Sequence, residues 1–299
     1  MRSLLFVPGD SERKMQKAAA CGADALILDL EDSVAPSRKI IARQMVAAFL
    51  ANAPSGAKNP KLIVRVNALD TWLTEDDLTA VVPGAPHAIL LPKANSGADL
   101  QDLGVRIAVE EAEAGLPDGQ IRIHALMTET AAGLLSAASF AAKSARLSAV
   151  AWGAEDLAAD VGASSNKDDQ GGYTDVFRMA RSLTILAAAH AGVDAIDTVF
   201  TDFRDMEGLE AECRAAVRDG FSGKMAIHPD QVSVINAAFT PAPQDVERAV
   251  RILALFAAAG PDAGVLSLDG KMIDKPHLRQ AERVARRAGL DPNALPHRN

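Results

Sequence analysis

With 299 residues the chain has room for one barrel-sized domain of about 250 residues plus an extension. A net charge of −8 and a pI near 5.3 exclude a general affinity for nucleic acid or anionic membrane, so an anionic substrate needs a local basic or metal site. Hydrophobic residues make up 48% but aromatics only 4%, which suits small-residue helices packed closely on a parallel sheet.

The opening run, Leu4-Leu5-Phe6-Val7, is too short for a secretion signal and is ended by Pro8-Gly9-Asp10. No later run approaches the roughly 18–20 apolar residues of a membrane span. The expectation is a soluble, cytoplasmic protein with no membrane or nucleic-acid partner. Cys21 and Cys213 lie far apart with no CxxC spacing and read as small buried hydrophobes in a reducing compartment.

Short continuous apolar runs mark parallel strands over 3–8, 25–31, 62–67, 88–92, 121–127, 149–153, 195–199 and 224–227. Helix-period segments fall between or after them at 38–52, 98–114, 132–142, 176–191, 207–218 and 230–238. Strands alternating with helices at this spacing mean βαβ units. Eight such strands favour an α/β fold of the (β/α)8 TIM-barrel type over an open doubly wound sheet. The first turn is not a GxGxxG fingerprint, which weakens a dinucleotide-binding reading further. A barrel over 1–240 leaves 241–299 as a C-terminal helical extension, with an amphipathic helix at 244–259 and a basic one at 278–288. A barrel does not need this tail, so a lid or an arm reaching a neighbouring subunit is its natural reading.

Charge repeatedly follows the strands: Glu31-Asp32, Arg65, Lys93, Glu129 and Glu155-Asp156. In a barrel these C-terminal ends form the catalytic mouth. Glu129 and Asp156 follow consecutive strands and are placed to share a hard divalent cation such as Mg2+; alone, either could be a helix cap or a surface ion pair. No His–Cys cluster offers a zinc alternative. Arg65, in an extended apolar context, either faces a polar mouth or is buried and paired, with Asp32 as the partner that orients it. A fixed guanidinium beside a metal stabilises an enolate or carboxylate oxygen. Lys93 fits site electrostatics better than Schiff-base chemistry, because nothing marks a lowered pKa. His228 is a candidate base or ligand contact, or a hydrogen-bonded structural histidine before Pro229; His87, His124, His190, His277 and His297 have no supporting context. Gly9, Arg13 and Lys14 begin the first βα unit, where a phosphate could be gripped.

Several motifs then occur in order: Phe6-Val7-Pro8-Gly9-Asp10, Asp29-Leu30-Glu31-Asp32, Arg65-Val66-Asn67, Leu91-Pro92-Lys93, Glu129-Thr130-Ala131, Gly153-Ala154-Glu155-Asp156, Lys224-Met225-Ala226-Ile227-His228-Pro229 and Asp269-Gly270-Lys271-Met272-Ile273-Asp274. Together they resemble the citrate lyase β-subunit-like family, with its malyl-CoA and citramalyl-CoA lyases, within the HpcH/HpaI aldolase superfamily. The resemblance covers almost the whole chain. It implies a Mg2+ ion, replaceable by Mn2+, held by Glu129 and Asp156, and an enolate steadied by Arg65 with Asp32 in the same polar cluster. It also implies a homotrimer or hexamer in which Asp274 enters a neighbour's site as acid/base. The implied activity is reversible Claisen cleavage of a 3-hydroxyacyl-CoA to an acyl-CoA and a small 2-oxo acid, glyoxylate or pyruvate. Substrate and CoA contacts are expected from Arg65, Glu129, Lys14, Lys93 and His228. The rivals are a malyl-CoA thioesterase, the β component of a citrate lyase, and a non-catalytic CoA-binding barrel.

Overall fold

The computed structural model describes residues 1–292 apart from 54, 55, 57, 58, 142 and 261; Ala142, at the end of one expected helix, and His297 lie outside the described residues. Eight strands close into a barrel in chain order. They are β1 (Ser3–Pro8), β2 (Ala25–Asp29), β3 (Lys61–Arg65), β4 (Ala88–Leu91), β5 (Arg122–Leu126), β6 (Leu147–Ala151), β7 (Asp194–Asp197) and β8 (Gly223–Ala226). All are parallel, and β1 pairs with β8 to seal the ring. The fold is therefore the expected TIM barrel.

A ring with helices outside it leaves neither strand face wet, which is why β2 and β4 are buried at every position. Inward-facing side chains, among them Leu4, Ile27, Ile63, Leu90, Leu126, Ala151, Ile196 and Met225, form a packed core rather than a pore. The two-residue alternation continues past this core. Asp29 follows Ile27 by two and Arg65 follows Ile63 by two, so both turn inward at the C-terminal end, and the β2–β3 register sets them side by side.

The outer helices are α1 (Glu12–Ala19), α2 (Lys39–Ala51), α3 (Leu73–Val81), α4 (Gly97–Glu113), α5 (Ala131–Leu135), α6 (Ala154–Val161), α7 (Asp175–Ala191), α8 (Met206–Asp219) and α9 (Gln231–Phe239). Side-chain caps start several of them: Ser96 accepts the Ala98 N–H at 3.2 Å, Thr130 that of Gly133 at 3.0 Å and Asp205 that of Gly208 at 2.9 Å. The helix expected over 132–142 divides instead into α5 and a 3-10 turn, Ala137–Phe140. The change at Ser136 lets Phe140 drop into the core while Leu135 stays exposed.

The chain packs as two compact units, Met1–Asn236 and Ala237–Asn299. The second contains α10 (Pro243–Ala259), strands β9 (Val265–Leu268) and β10 (Lys271–Asp274), and α11 (Lys275–Arg287). Ile252, Leu253 and Phe256 of α10 meet Leu268, Ile273, Ala281 and Ala285 in its own small core. The two strands form an antiparallel hairpin whose Asp269-Gly270 turn has positive φ at both residues, 52° and 73°, as a primed turn requires. Among the described residues no helix is long and apolar enough to cross a membrane.

Candidate active site

Arg65, at the end of β3, is the best-held side chain of the barrel mouth. Its Nε donates to Asp29 Oδ1 and its Nη2 to Asp29 Oδ2, both at 2.7 Å, a bidentate grip that fixes the plane of the guanidinium. Nη1 lies 2.9 Å from Glu31 Oε2, and the Phe6 ring of β1 packs beneath at 4.8 Å. Burial disfavours the charge, but Asp29 and Glu31 outweigh it and raise the pKa further, so Arg65 is a permanent cation. Asp29 is pushed up by burial yet ends below its ordinary value because of Arg65. The partner expected from the sequence was Asp32. The structure assigns that part to Asp29 and Glu31, and Asp32 instead meets Lys93 Nζ at 3.2 Å with its side chain 60% exposed. The physical reason is parity: Asp32 lies beyond the strand, whereas Asp29 is on the inward row and in register.

Lys93 lies two residues beyond β4. Its backbone is left-handed (φ 50°), an uncommon state for a side-chain-bearing residue. Two contacts hold it: its N–H donates to Glu129 Oε2 at 2.7 Å, and its Nζ forms a short contact with Glu31 Oε1. The same ammonium is 3.5 Å from Asp156 Oδ1. Burial lowers its pKa and the bond to Glu31 more than reverses this, so its surroundings favour the ammonium over the neutral amine that Schiff-base chemistry uses.

Glu129, directly before the α5 cap, is buried, and Asp156 sits in the first turn of α6. Burial, and then the charge of Asp156, push the Glu129 carboxyl up to about 8. Gly153 forms the wall behind it: a Cβ there would fall 2.7 Å from Glu129 Cγ and 3.0 Å from Oε1, so only glycine lets the carboxylate lie where it does. Among the described residues no three His, Cys, Asp or Glu side chains converge on one point. Glu129 and Asp156 are two carboxylates of the kind Mg2+ accepts, since it takes one or two of them and keeps water or substrate elsewhere. A buried carboxyl raised further by a neighbouring carboxylate is one that a dication would relieve, so the residues fit the ion.

Among the described residues, neither Lys14 nor His228 bonds to this cluster. Lys14 stands exposed on α1. His228 follows β8, stacks on Phe203 with ring centroids 5.0 Å apart, and accepts the Asp230 N–H on Nδ1 at 3.3 Å. In the second unit, Asp274 caps α11: it forms a capping box with His277, whose Nδ1 is 2.6 Å from Asp274 Oδ1, and that contact holds the carboxyl below its ordinary range.

Comparison with known proteins agrees with this geometry. A family model described as HpcH/HpaI aldolase/citrate lyase matches residues 2–229. The chain is 38% identical to a (3S)-malyl-CoA thioesterase of Cereibacter sphaeroides over 96% of its own length and 94% of that protein's. It is 33% identical to the mitochondrial citramalyl-CoA lyase of Rattus norvegicus, covering 95% and 84% of the two chains. A crystal structure of the protein CitE from Mycobacterium tuberculosis, in complex with magnesium, acetoacetate and coenzyme A, superposes with a TM-score of 0.74 at 36% identity, covering 96% of this chain and 98% of that one.

Proposed function

The chain belongs to the HpcH/HpaI aldolase/citrate lyase family, and from that premise we propose that it cleaves the carbon–carbon bond of a short 3-hydroxyacyl-CoA bearing a carboxylate beside the hydroxyl carbon. The products are an acyl-CoA and a 2-oxo acid, glyoxylate or pyruvate. The observation that carries this reading is Arg65, fixed by Asp29 and Glu31 beside the carboxylate pair Glu129 and Asp156.

Glu129 and Asp156 would hold Mg2+, which when bound polarises the substrate's hydroxyl and carboxylate oxygens as a Lewis acid. Cleavage sends the bonding pair toward the thioester, where negative charge develops on the carbonyl oxygen. Arg65 has more N–H donors than Asp29 and Glu31 occupy, and its plane is set before substrate arrives, so it stabilises that enolate without reorganising. Lys93 offsets the excess of carboxylates and, being protonated, adds attraction for the substrate carboxylate. In this reading Asp274 of a second copy takes the hydroxyl proton and returns it to the enolate carbon as the oxo acid departs. A trimer or a dimer of trimers would supply that copy.

A second reading is favoured by the thioesterase relative: the same site could direct water to the thioester carbonyl, giving free CoA and an intact hydroxy acid. Incubation with malyl-CoA, citramalyl-CoA and citryl-CoA with and without Mg2+, with oxo acid and free CoA both measured, separates the two. Stoichiometric oxo acid with CoA still acylated is expected. CoA release without oxo acid would replace the lyase assignment with hydrolysis.

A further inference from the structure

We infer that Trp152, with its acceptor Asp197, is a positioning residue for the metal carboxylates; the inference rests on the reading of Glu129 and Asp156 as the Mg2+ pair. Trp152 directly follows β6, and its neighbour Ala151 faces the barrel core, so the indole faces the helix layer. It is fully buried. Its Nε1 donates to Asp197 Oδ1 at 2.7 Å, and Tyr173 meets its ring edge-on with centroids 5.0 Å apart. Asp197 is itself anchored, because its Oδ2 accepts from Lys224 Nζ at 2.8 Å, and Lys224 donates equally to Glu212 Oε1 of α8 at 2.7 Å.

The consequence reaches the mouth through one residue. Gly153 follows Trp152, forms the wall against Glu129, and opens α6, whose first turn carries Asp156. A side chain tied down outside the barrel thus fixes the backbone that touches one proposed ligand and carries the other. A second tie acts on the same turn: Asn166 Nδ2 donates to Glu155 Oε1 at 2.8 Å, while its neighbour Lys167 lies 3.5 Å from Glu212 and over the Tyr173 ring. Groups that orient metal ligands typically cost 10–100-fold in metal affinity when lost, so about that range is expected here.

The test is calorimetric titration of the full chain with MgCl2 alone, beside thermal melting. Trp152→Phe keeps an aromatic ring but removes the N–H; its Mg2+ dissociation constant should rise about tenfold or more. A purely structural Trp152 would instead lower the melting temperature and leave the dissociation constant unchanged, which overturns the inference. Asp197→Asn still offers Oδ1 to the indole and should bind Mg2+ nearly as the parent does; a loss equal to that of Trp152→Phe would assign the effect to charge and likewise overturn it. Should Trp152→Phe not fold, Asp197→Leu removes the acceptor, leaves Lys224 on Glu212, and carries the same tenfold expectation. Glu129→Gln tests the premise separately: undiminished Mg2+ binding there defeats the metal reading, whatever Trp152→Phe shows.

Discussion

The barrel mouth and the space behind β7 and β8 each hold buried carboxylates, Asp29, Glu31 and Glu129 in one and Asp197 in the other, yet the charges around them are arranged differently. Behind the wall, Asp197, Glu212 and Asp219 are matched by Lys167, Arg181 and Lys224 in a connected set of ion pairs. At the mouth, among the described residues, Asp29, Glu31, Asp32 and Asp156 pair with Arg65 and Lys93 alone, Glu129 accepts only the Lys93 main-chain N–H, and Lys39 acts on Asp29, Glu31 and Asp32 without pairing with them. Glu129 and Glu31 are accordingly pushed up by burial, which their cationic neighbours do not fully offset. A balanced cluster holds the barrel together. An unbalanced one is left short of positive charge, and a cation with an anionic substrate can complete it.

Removing a cation from each cluster should separate the two roles. Lys224 is fully buried between two carboxylates. Lys224→Met keeps the stem but leaves Asp197 only Arg181 at 3.9 Å and Glu212 only Lys167 at 3.5 Å, and breaking such a buried pair costs about 3–5 kcal/mol. Urea unfolding should show that loss; a loss under about 1 kcal/mol, the size of an exposed pair, would mean the cluster is not structural. Arg65→Lys is the matching change at the mouth. It keeps the charge but loses the bidentate grip, so kcat should fall about 10²–10³-fold, as when a preorganised oxyanion donor is removed. Steady-state kinetics would show this, and near-native kcat would sever Arg65 from the enolate.

A third group sharpens the contrast because the charges that act on it most are all positive. His124 of β5 is buried, with Nε2 unpartnered, and burial, then His87, the N-terminus, Lys61 and Arg122, lower its pKa from 6.5 to about 3. The unfolded chain therefore binds a proton below 6.5 that the folded chain refuses until about 3. Stability should fall as pH drops through that window. His124→Leu should flatten this dependence when unfolding is measured at pH values near 7 and 4; an unchanged slope would place the acid sensitivity elsewhere.

Much of this architecture was legible in the chain. The order and number of strands followed from apolar runs, and most predicted bounds lie within two residues of the observed ones, because a strand buried on both faces leaves a continuous signal. The C-terminal ends were overrun where polar side chains still continued the row, as at Glu31 and Asn67. Short amphipathic helices such as α3 and α6 leave too brief a period to read, since each spans only two or three turns. At the site, residue types were readable but pairings were not. Asp29 is less conspicuous than Glu31-Asp32, although counting by two from Ile27 and Ile63 puts Asp29 and Arg65 on one face. Trp152 left no signal, because its meaning depends on Asp197 from the next strand. The hairpin did leave one: Asp269-Gly270 between strand-like runs is a strong turn marker.

That turn acts as a ruler. Along β10 the side chains alternate, so buried Ile273 and capping Asp274 occupy opposite faces, and the two-residue loop fixes which is which. One added residue would slip the pairing and exchange the faces, sending a carboxylate toward the apolar side and an isoleucine outward. The fold therefore depends more tightly on the spacing of this segment than on its composition. Chimeras between relatives should tolerate changed letters here far better than a changed count.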